Sequence, residues 1–207
     1  MSKLSWNEAL TQLNIAPTSQ QAAQLQAYLH LLQRWNKVYN LTAIRDPEAM
    51  LAVHLWDSLS IVPYIQAETC LDVGSGAGLP GIPLAIMQPK HRFTLLDSNG
   101  KKTRFMQQAV MELGLSNVQV VNTRAEQWLP EQPFAAIISR AFAALKDFVD
   151  TSATHLQASG RLYAMKGRFP RAELDSLPAS WKVLAVHKLR VPALEAERHL
   201  LELGRIT

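Results

Sequence analysis

The sequence contains a single cysteine, Cys70, which excludes an intramolecular disulfide and a zinc site built on cysteines. Because Cys70 lies inside an apolar run, we expect it to be a buried hydrophobic side chain and not a nucleophile. The sequence also lacks a run of the roughly twenty apolar residues that span a membrane, and residues 1–8 contain no apolar signal core. We therefore expect a cytoplasmic protein that contacts no membrane and binds no metal ion.

The composition indicates a folded protein and excludes disorder. The 207 residues are 48% hydrophobic and 18% charged, which suffices for a sizeable core. The formal net charge of +4 is compatible with a polyanionic partner, but many proteins without such a partner have a similar charge. Charge alone therefore does not identify the function.

The amino-terminal part of the chain is predicted to be helical. Residues 1–66 show helical spacing of apolar residues, with a capping box at Thr18–Gln21 and a second helix start at Asp46–Pro47. On that second helix His54 and Asp57 share a face, where they form either a hydrogen bond that fixes the helix or a contact with a ligand. We predict that residues 1–66 form a helical cap over the rest of the chain.

Residues 67–207 alternate short apolar runs with helical stretches, which predicts a Rossmann-like α/β domain. The predicted strands are 69–73, 92–96, 118–121, 134–139, 160–166, 181–191 and 199–203. The predicted helices begin near Leu79, Gly100, Ala125, Ala144 and Pro170. The first five strands should be parallel, and the last two, which have no helix between them, should form a hairpin that adds an antiparallel strand. This seven-stranded layout resembles the class I S-adenosylmethionine-dependent methyltransferases.

A glycine-rich loop follows the first predicted strand. Asp72 lies at the end of that strand, and Gly74, Gly76 and Gly78 follow at alternate positions, where the missing side chains let the backbone turn and approach a ligand. Asp97 ends the second predicted strand, at the distance where strand-helix-strand folds place a carboxylate on a ribose diol. These residues predict one crevice for a nucleotide cofactor.

Two cofactors fit this loop. Gly76–Gly81 satisfies the dinucleotide spacing G-x-G-x-x-G, which is a weak signal when taken alone. S-adenosylmethionine is favoured by Asp72 before the glycines, by Pro80 and Pro83 in the first helical turn, and by the lack of a second catalytic domain. The segment Tyr163–Lys166 is the nearest approach to the Tyr-x-x-x-Lys pair of short-chain dehydrogenases, and its spacing is wrong for one helical face.

Residues just past the third and fourth strands are further candidates, because ligands of open α/β sheets bind at the carboxyl ends of the strands. Backbone groups of Ala125 and Glu126 can contact an adenine edge, although Glu126 also suits a first helical turn as an acid. Arg140 stands where methyltransferases of exocyclic amines carry an Asn-Pro-Pro-Tyr-like tetrad, so we expect a substrate ring nitrogen that needs placement and no general base. We predict that Arg140 is catalytic by positioning cofactor or base, forms an ion pair with an acid such as Asp72, or does both.

Basic side chains follow the fifth predicted strand and precede the seventh. The four candidates for RNA binding are Lys166, Arg168, Arg171 and Arg198. Together with the neighbouring Phe169 they fit phosphate contacts and base stacking, although each cation taken singly also suits a solvated surface. Three more cations begin the second helix of the α/β part, namely Lys101, Lys102 and Arg104. For those three we favour the solvated surface.

Taken together, these segments resemble the RsmG family, also called GidB, which are bacterial methyltransferases acting on guanine N7 of small-subunit ribosomal RNA. The resemblance covers essentially the whole chain and is carried by residues 35–42, 54–58, 73–83, 95–98, 139–142, 166–167 and 197–199. It implies S-adenosylmethionine as cofactor, ribosomal RNA or the assembling small subunit as partner, and amino-terminal helices that cap the crevice; we expect a monomer. The cofactor contacts that it implies are Gly74, Leu79, Ala125, Glu126 and Arg140.

Three functions remain open at the level of sequence. The chain is an RNA methyltransferase, a methyltransferase of the same fold for a small molecule or protein, or a cofactor-binding regulatory protein without turnover. The basic loops favour RNA over a small molecule, because a buried small substrate needs a closed lid and fewer exposed cations.

Overall fold

Seven strands form one mixed sheet in the order β3-β2-β1-β4-β5-β7-β6. The computed structural model describes residues 4–206. Residues 1–3 of the predicted cap and residue 207 of the predicted α/β domain lie outside the described residues. The strands are β1 (Thr69–Val73), β2 (Arg92–Asp97), β3 (Val118–Asn122), β4 (Phe134–Ser139), β5 (Leu156–Lys166), β6 (Trp181–Leu189) and β7 (Arg198–Arg205). All seven predicted strands are confirmed. Strand β5 begins before its predicted start because polar residues interrupt the apolar pattern there.

The strand directions bring the carboxyl ends of β1 to β5 to one edge of the sheet. Strands β1 to β5 run parallel, and β7 lies antiparallel between β5 and β6, which confirms the predicted hairpin. In the register, Val73 of β1 pairs with Leu96 of β2, and Lys166 at the end of β5 pairs with His199 at the start of β7. The loops that follow β1, β2, β4 and β5 therefore meet the start of β7 at this edge.

Eight α-helices flank the sheet in the described part of the chain. They are α1 (Trp6–Gln12), α2 (Ser19–Tyr39), α3 (Pro47–Met50), α4 (Asp57–Leu59), α5 (Gly81–Met87), α6 (Gly100–Leu113), α7 (Leu145–Ser152) and α8 (Arg171–Leu174). Side chains cap the start of α1, α2, α3 and α6. A π-helical segment, Leu51–Trp56, joins α3 to α4. The capping box of Thr18 and Gln21 and the cap formed by Asp46 are both present. Within residues 4–206, no helix has the length and apolar character needed to cross a membrane.

The helix predicted near Ala125 is wrong. The chain forms only a short 3₁₀ turn there, Ala125–Gln127, before it continues irregularly to β4. Pro130 and Pro133 explain the difference, because each proline lacks an N–H donor and disfavours helical backbone in the residue before it. The other predicted helix starts lie within two residues of the observed ones.

The amino-terminal helices share a hydrophobic core with one face of the sheet. Leu25 and Tyr28 of α2 belong to the same buried cluster as Leu95 of β2 and Ile138 of β4. Burial of this apolar surface stabilises the packing of the helices on the sheet. Cys70 is fully buried in this cluster, and burial raises the pKa of its thiol, as expected for a hydrophobic and unreactive side chain.

Candidate cofactor and substrate site

The glycine loop after β1 adopts a backbone that only glycine accepts easily. Gly74 and Gly78 have φ angles of +72° and +82°, and Gly76 also lies in the left-handed region. A Cβ on Gly74 would stand 2.7 Å from the Cβ of Ala141, and one on Gly78 would stand 2.4 Å from Cδ1 of Ile82. The backbone of the glycine loop at Gly74 thus packs directly against Ala141, in the segment after β4.

Asp97 at the end of β2 holds this loop by a hydrogen bond. Its Oδ2 accepts a hydrogen bond from the backbone N–H of Gly76 at 2.8 Å, and its Oδ1 accepts one from Asn99 at 2.8 Å. Each carboxylate oxygen has a further acceptor position, so Asp97 can also accept from two ribose hydroxyls. Its role in cofactor binding stays a prediction.

A first cavity of about 260 Å³ lies at the ends of β1 and β2. Its lining residues are Val73, Gly74, Leu96, Asp97, Ser98, Thr123, Arg124, Ala125, Glu126, Phe142 and Thr151. The predicted residues Gly74, Asp97, Ala125 and Glu126 therefore face one space. The mixed apolar and polar lining suits a nucleoside.

A second cavity of about 210 Å³ lies beside the first, and Gly74 lines both. Its lining residues are Leu41, Thr42, His54, Gly74, Ser75, Gly76, Ala77, Leu79, Lys102, Arg140 and Ala141. A ligand that crosses Gly74 would contact both cavities, as an elongated cofactor requires. Lys102 lines this cavity, whereas Lys101 and Arg104 are exposed as expected for a solvated surface.

A third cavity of about 300 Å³ continues the row toward β5 and β7, and His54 and Arg140 line both it and the second cavity. Its lining residues are Val53, His54, Asp57, Arg140, Met165, Lys166, Gly167, Leu189, Arg198 and His199. A larger groove of about 950 Å³ lies at the opposite edge of the sheet and contains none of the predicted site residues. The three adjoining cavities therefore form the candidate site.

Arg140 stands between the second and third cavities. Its Nη1 donates to the backbone oxygen of Val53 at 3.0 Å and to Oδ2 of Asp57 at 3.2 Å. Its Nε and Nη2 make no hydrogen bond with residues 4–206, which leaves three N–H donors for a ligand. The suggested pairing with Asp72 is wrong, because the carboxylate of Asp72 lies beneath the glycine loop and accepts from the N–H of Gly81.

Asp57 connects Arg140 to the start of β7. Its side chain is 2% exposed, and its Oδ1 accepts from Nε of Arg198 at 3.1 Å. Burial raises the pKa of Asp57, while the charges of Arg140 and Arg198 oppose that rise. We refer to Asp57, Arg140 and Arg198 as the Asp57 cluster.

His54 and Asp57 do not bond to each other. Nε2 of His54 lies 2.8 Å from Oγ1 of Thr42, while Asp57 binds the two arginines. Burial and the charge of Arg140 lower the pKa of His54 to about 4, so its ring is neutral at pH 7. His54 and Asp57 both line the third cavity. Thr42, which bonds to His54, lies in the segment 35–42 that carries the family resemblance, but it is not among the predicted site residues.

The four predicted RNA contacts differ in their surroundings. Nζ of Lys166 donates to the backbone oxygens of Phe142 and Ala143 and to Glu173, and Arg198 donates to Asp57. Arg168 and Arg171 are exposed and form no ion pair within residues 4–206. Of the four residues, Arg168 and Arg171 therefore present to solvent guanidinium groups that form no ion pair among residues 4–206, and RNA binding by the four residues stays a prediction.

The strand order, the glycine loop after β1 and the acid after β2 define a class I S-adenosylmethionine-dependent methyltransferase fold. A methyltransferase from Thiobacillus denitrificans, solved with S-adenosyl-L-homocysteine, superposes with a TM-score of 0.59 at 12% identity, covering 82% of this chain and 98% of that one. An S-adenosylmethionine-dependent methyltransferase from Aquifex aeolicus gives a TM-score of 0.58 at 19% identity, covering 76% and 93%.

Sequence comparison identifies the family. The family model GidB, rRNA small subunit methyltransferase G, matches residues 21–201. Proteins named ribosomal RNA small subunit methyltransferase G are 54% identical over 196 residues in Ectopseudomonas mendocina and 52% identical over 198 residues in Marinobacter nauticus. These alignments cover 94% and 96% of this chain, respectively, and 92% of each relative. The chain belongs to the GidB family.

Proposed function

We propose that this protein transfers a methyl group from S-adenosylmethionine to N7 of a guanine in bacterial small-subunit ribosomal RNA. Its family membership and the names of its relatives support ribosomal RNA as the substrate. The observation that carries the proposal is the unbroken row of three cavities, in which Gly74 joins the first to the second and Arg140 joins the second to the third.

The first and second cavities fit the cofactor. Ala125 and Glu126 line the end of the first cavity, Asp97 offers acceptors for ribose hydroxyls, and the bare backbone of Gly74 leaves room for the ligand to cross. Leu79 and Arg140 then line the second cavity, where the methionine part would lie. When bound there, S-adenosylmethionine supplies an electrophilic methyl group on its sulfonium sulfur.

The third cavity fits the substrate base. Met165 and Leu189 provide apolar lining, and the free Nε and Nη2 groups of Arg140 can donate to guanine O6, which is adjacent to N7. N7 has an in-plane lone pair, so the protein needs only to hold the base in line and needs no general base.

We propose that Arg168 and Arg171 contact RNA phosphates outside the cavity, because they are exposed and unpaired among the described residues. Lys166 and Arg198 lie deeper, and their existing hydrogen bonds hold the wall of the third cavity. Ribosomal RNA as a substrate supports a location in the cytoplasm, and action as a monomer stays part of this proposal.

The proposal is tested by incubating the protein with labelled S-adenosylmethionine and either free small-subunit RNA, assembled small subunits or total cell protein. We expect label in the RNA, at one guanine that becomes sensitive to cleavage by borohydride and aniline because N7 methylation makes the ring labile. Label on an exocyclic amine, on a ribose hydroxyl or on protein, without a cleavable guanine, would refute the proposal.

A further inference from the structure

One buried carboxylate holds two arginines, of which Arg140 follows β4 and Arg198 begins β7. Asp57 is 2% exposed, and its two oxygens accept from Nη1 of Arg140 at 3.2 Å and from Nε of Arg198 at 3.1 Å. Arg140 and Arg198 are separated from Asp57 in sequence by 83 and 141 positions, respectively. The fold thus brings the helical cap, the end of β4 and the start of β7 to one point.

The two arginines that Asp57 holds line the third cavity, and Nη1 of Arg198 also donates to the backbone oxygen of Glu197. The side chains of Arg140 and Arg198 are 27% and 23% exposed, and both line that cavity. A guanidinium has five N–H donors in a rigid plane, so fixing one edge on a carboxylate also fixes the direction of the remaining donors. An unrestrained arginine side chain would have to be ordered when the substrate arrives.

Apolar contacts already attach the segment around Asp57 to the core. Leu55, Trp56 and Leu59, on the same turns of the chain, are at most 2% exposed and already pack the segment into the core. A buried ion pair contributes little net stability, because the cost of removing charges from water offsets their attraction. The geometry of the Asp57 cluster therefore calls for a role beyond attachment.

We propose that Asp57 is a positioning residue for methyl transfer, which sets the guanidinium planes of Arg140 and Arg198 before the target base enters the third cavity. The backbone oxygen of Val53 supports the same orientation by accepting from Nη1 of Arg140. Preset donors avoid reorganisation during the reaction, which is the means by which positioned dipoles and charges lower a barrier. This proposal rests on the proposed function.

The test compares Asp57→Asn with the parental protein and with Asp150→Asn. Asparagine keeps the shape of aspartate but removes its charge, and Asp150→Asn removes an exposed ion pair with Lys146 elsewhere. We expect the single-turnover rate, at saturating cofactor and RNA and corrected for the folded fraction, to fall at least about tenfold in Asp57→Asn and to stay parental in Asp150→Asn. A parental rate in folded Asp57→Asn would overturn the proposal.

A double-mutant cycle with Arg140→Lys separates positioning from general structure. If Asp57 acts through Arg140, the double variant should react no more slowly than the slower single variant, whereas independent effects would multiply. Multiplying effects would overturn the proposal. If Asp57→Asn does not fold, Asp57→Glu decides: it keeps the charge but shifts the guanidinium groups, so positioning predicts a lower rate and a parental rate contradicts it.

The same cycle measured by calorimetric binding of S-adenosylmethionine distinguishes this proposal from the proposed function. Absence of RNA methylation by the parental protein would refute the proposed function, and the binding cycle would then decide on Asp57 alone. We expect Asp57→Asn to weaken cofactor binding and to add nothing when Arg140 is already lysine. Unchanged binding in Asp57→Asn would overturn the positioning role.

Discussion

The phenol of Tyr28 donates a 2.6 Å hydrogen bond to the backbone oxygen of Ala77 inside the glycine loop. Tyr28 is fully buried on α2, and burial raises the pKa of its hydroxyl, so the hydroxyl remains a donor at all working pH values. This bond joins α2 directly to the loop that lines the second cavity. The position of α2 and the shape of the candidate cofactor site are therefore coupled.

Tyr28→Phe should lower the free energy of unfolding by about 1–2 kcal/mol, because it leaves the buried oxygen of Ala77 without its donor. It should also weaken S-adenosylmethionine binding, since the loop loses a support. Urea unfolding and calorimetry measure the two effects. Tyr39→Phe, at a tyrosine that is 45% exposed, is the control and should change neither.

Gly74→Ala should abolish cofactor binding or weaken it at least about tenfold. The added methyl group would stand 2.7 Å from Cβ of Ala141 and force apart the two loops that line the second cavity. Gly114→Ala is the matched control, because Gly114 also has a positive φ but an added Cβ meets no atom within 4 Å.

The Gly114→Ala control separates the effect of backbone strain on stability from the effect of the Gly74 substitution on cofactor binding. Both variants should lose about 1–2 kcal/mol of stability from the left-handed backbone, but only Gly74→Ala should lose cofactor binding in calorimetry. Equal cofactor affinities in the two variants would show that the backbone at Gly74 does not contact the cofactor.

Much of the fold and the outline of the cofactor crevice were predictable because local patterns encode them. Apolar runs indicated every strand, and the spacing of glycines with Asp97 indicated the first and second cavities. The helix predicted near Ala125 failed because Pro130 and Pro133 outweigh the spacing of its apolar residues.

The partners within the site were less predictable because they depend on contacts between distant segments. Arg140, which the sequence singled out, lines the second cavity, but its partner Asp57 lies 83 positions away and was matched with His54 instead. No periodicity relates α4 to the loop after β4. Only the packing of the cap on the sheet brings these charges together.

Arg168→Ala and Arg171→Ala should each reduce the slope of log affinity against log salt by about 0.7 for single-stranded RNA, because each removes one phosphate contact. Lys166→Ala and Arg198→Ala should change the slope less, since those side chains already bind Glu173 and Asp57. Titrations of RNA binding at several salt concentrations measure the slopes.

Lys182→Ala is the control for this series, because Lys182 is exposed near the start of β6, at the opposite edge of the sheet. Its slope should equal that of the parental protein. If the alanine variants of all four predicted contacts keep the parental slope, the RNA-binding surface lies elsewhere.

The stability of the protein should fall with rising pH relative to that of Asp72→Asn. Asp72 is 1% exposed beneath the glycine loop, and burial raises its pKa from 3.8 to about 7, against the lowering effect of its hydrogen bond from Gly81. Between about pH 4 and pH 7 the folded protein retains a proton that the unfolded chain has released, so the free energy of unfolding decreases as pH rises through this range. Above pH 7 both states are ionised and the effect is complete.

Unfolding by urea at pH 4, 5, 6, 7 and 8 measures this difference for the parental protein and Asp72→Asn. Asparagine cannot ionise and still offers an oxygen to the N–H of Gly81, so the parental protein should lose up to about 4 kcal/mol relative to the variant across this range, at about 1.4 kcal/mol per pKa unit. Asp175→Asn, at an exposed position, is the control for the substitution type and should keep the parental pH dependence, because Asp72 is still present in it. A constant difference between the parental protein and Asp72→Asn from pH 4 to pH 8 would mean that Asp72 is ionised in the folded protein throughout, with its charge stabilised by the glycine loop.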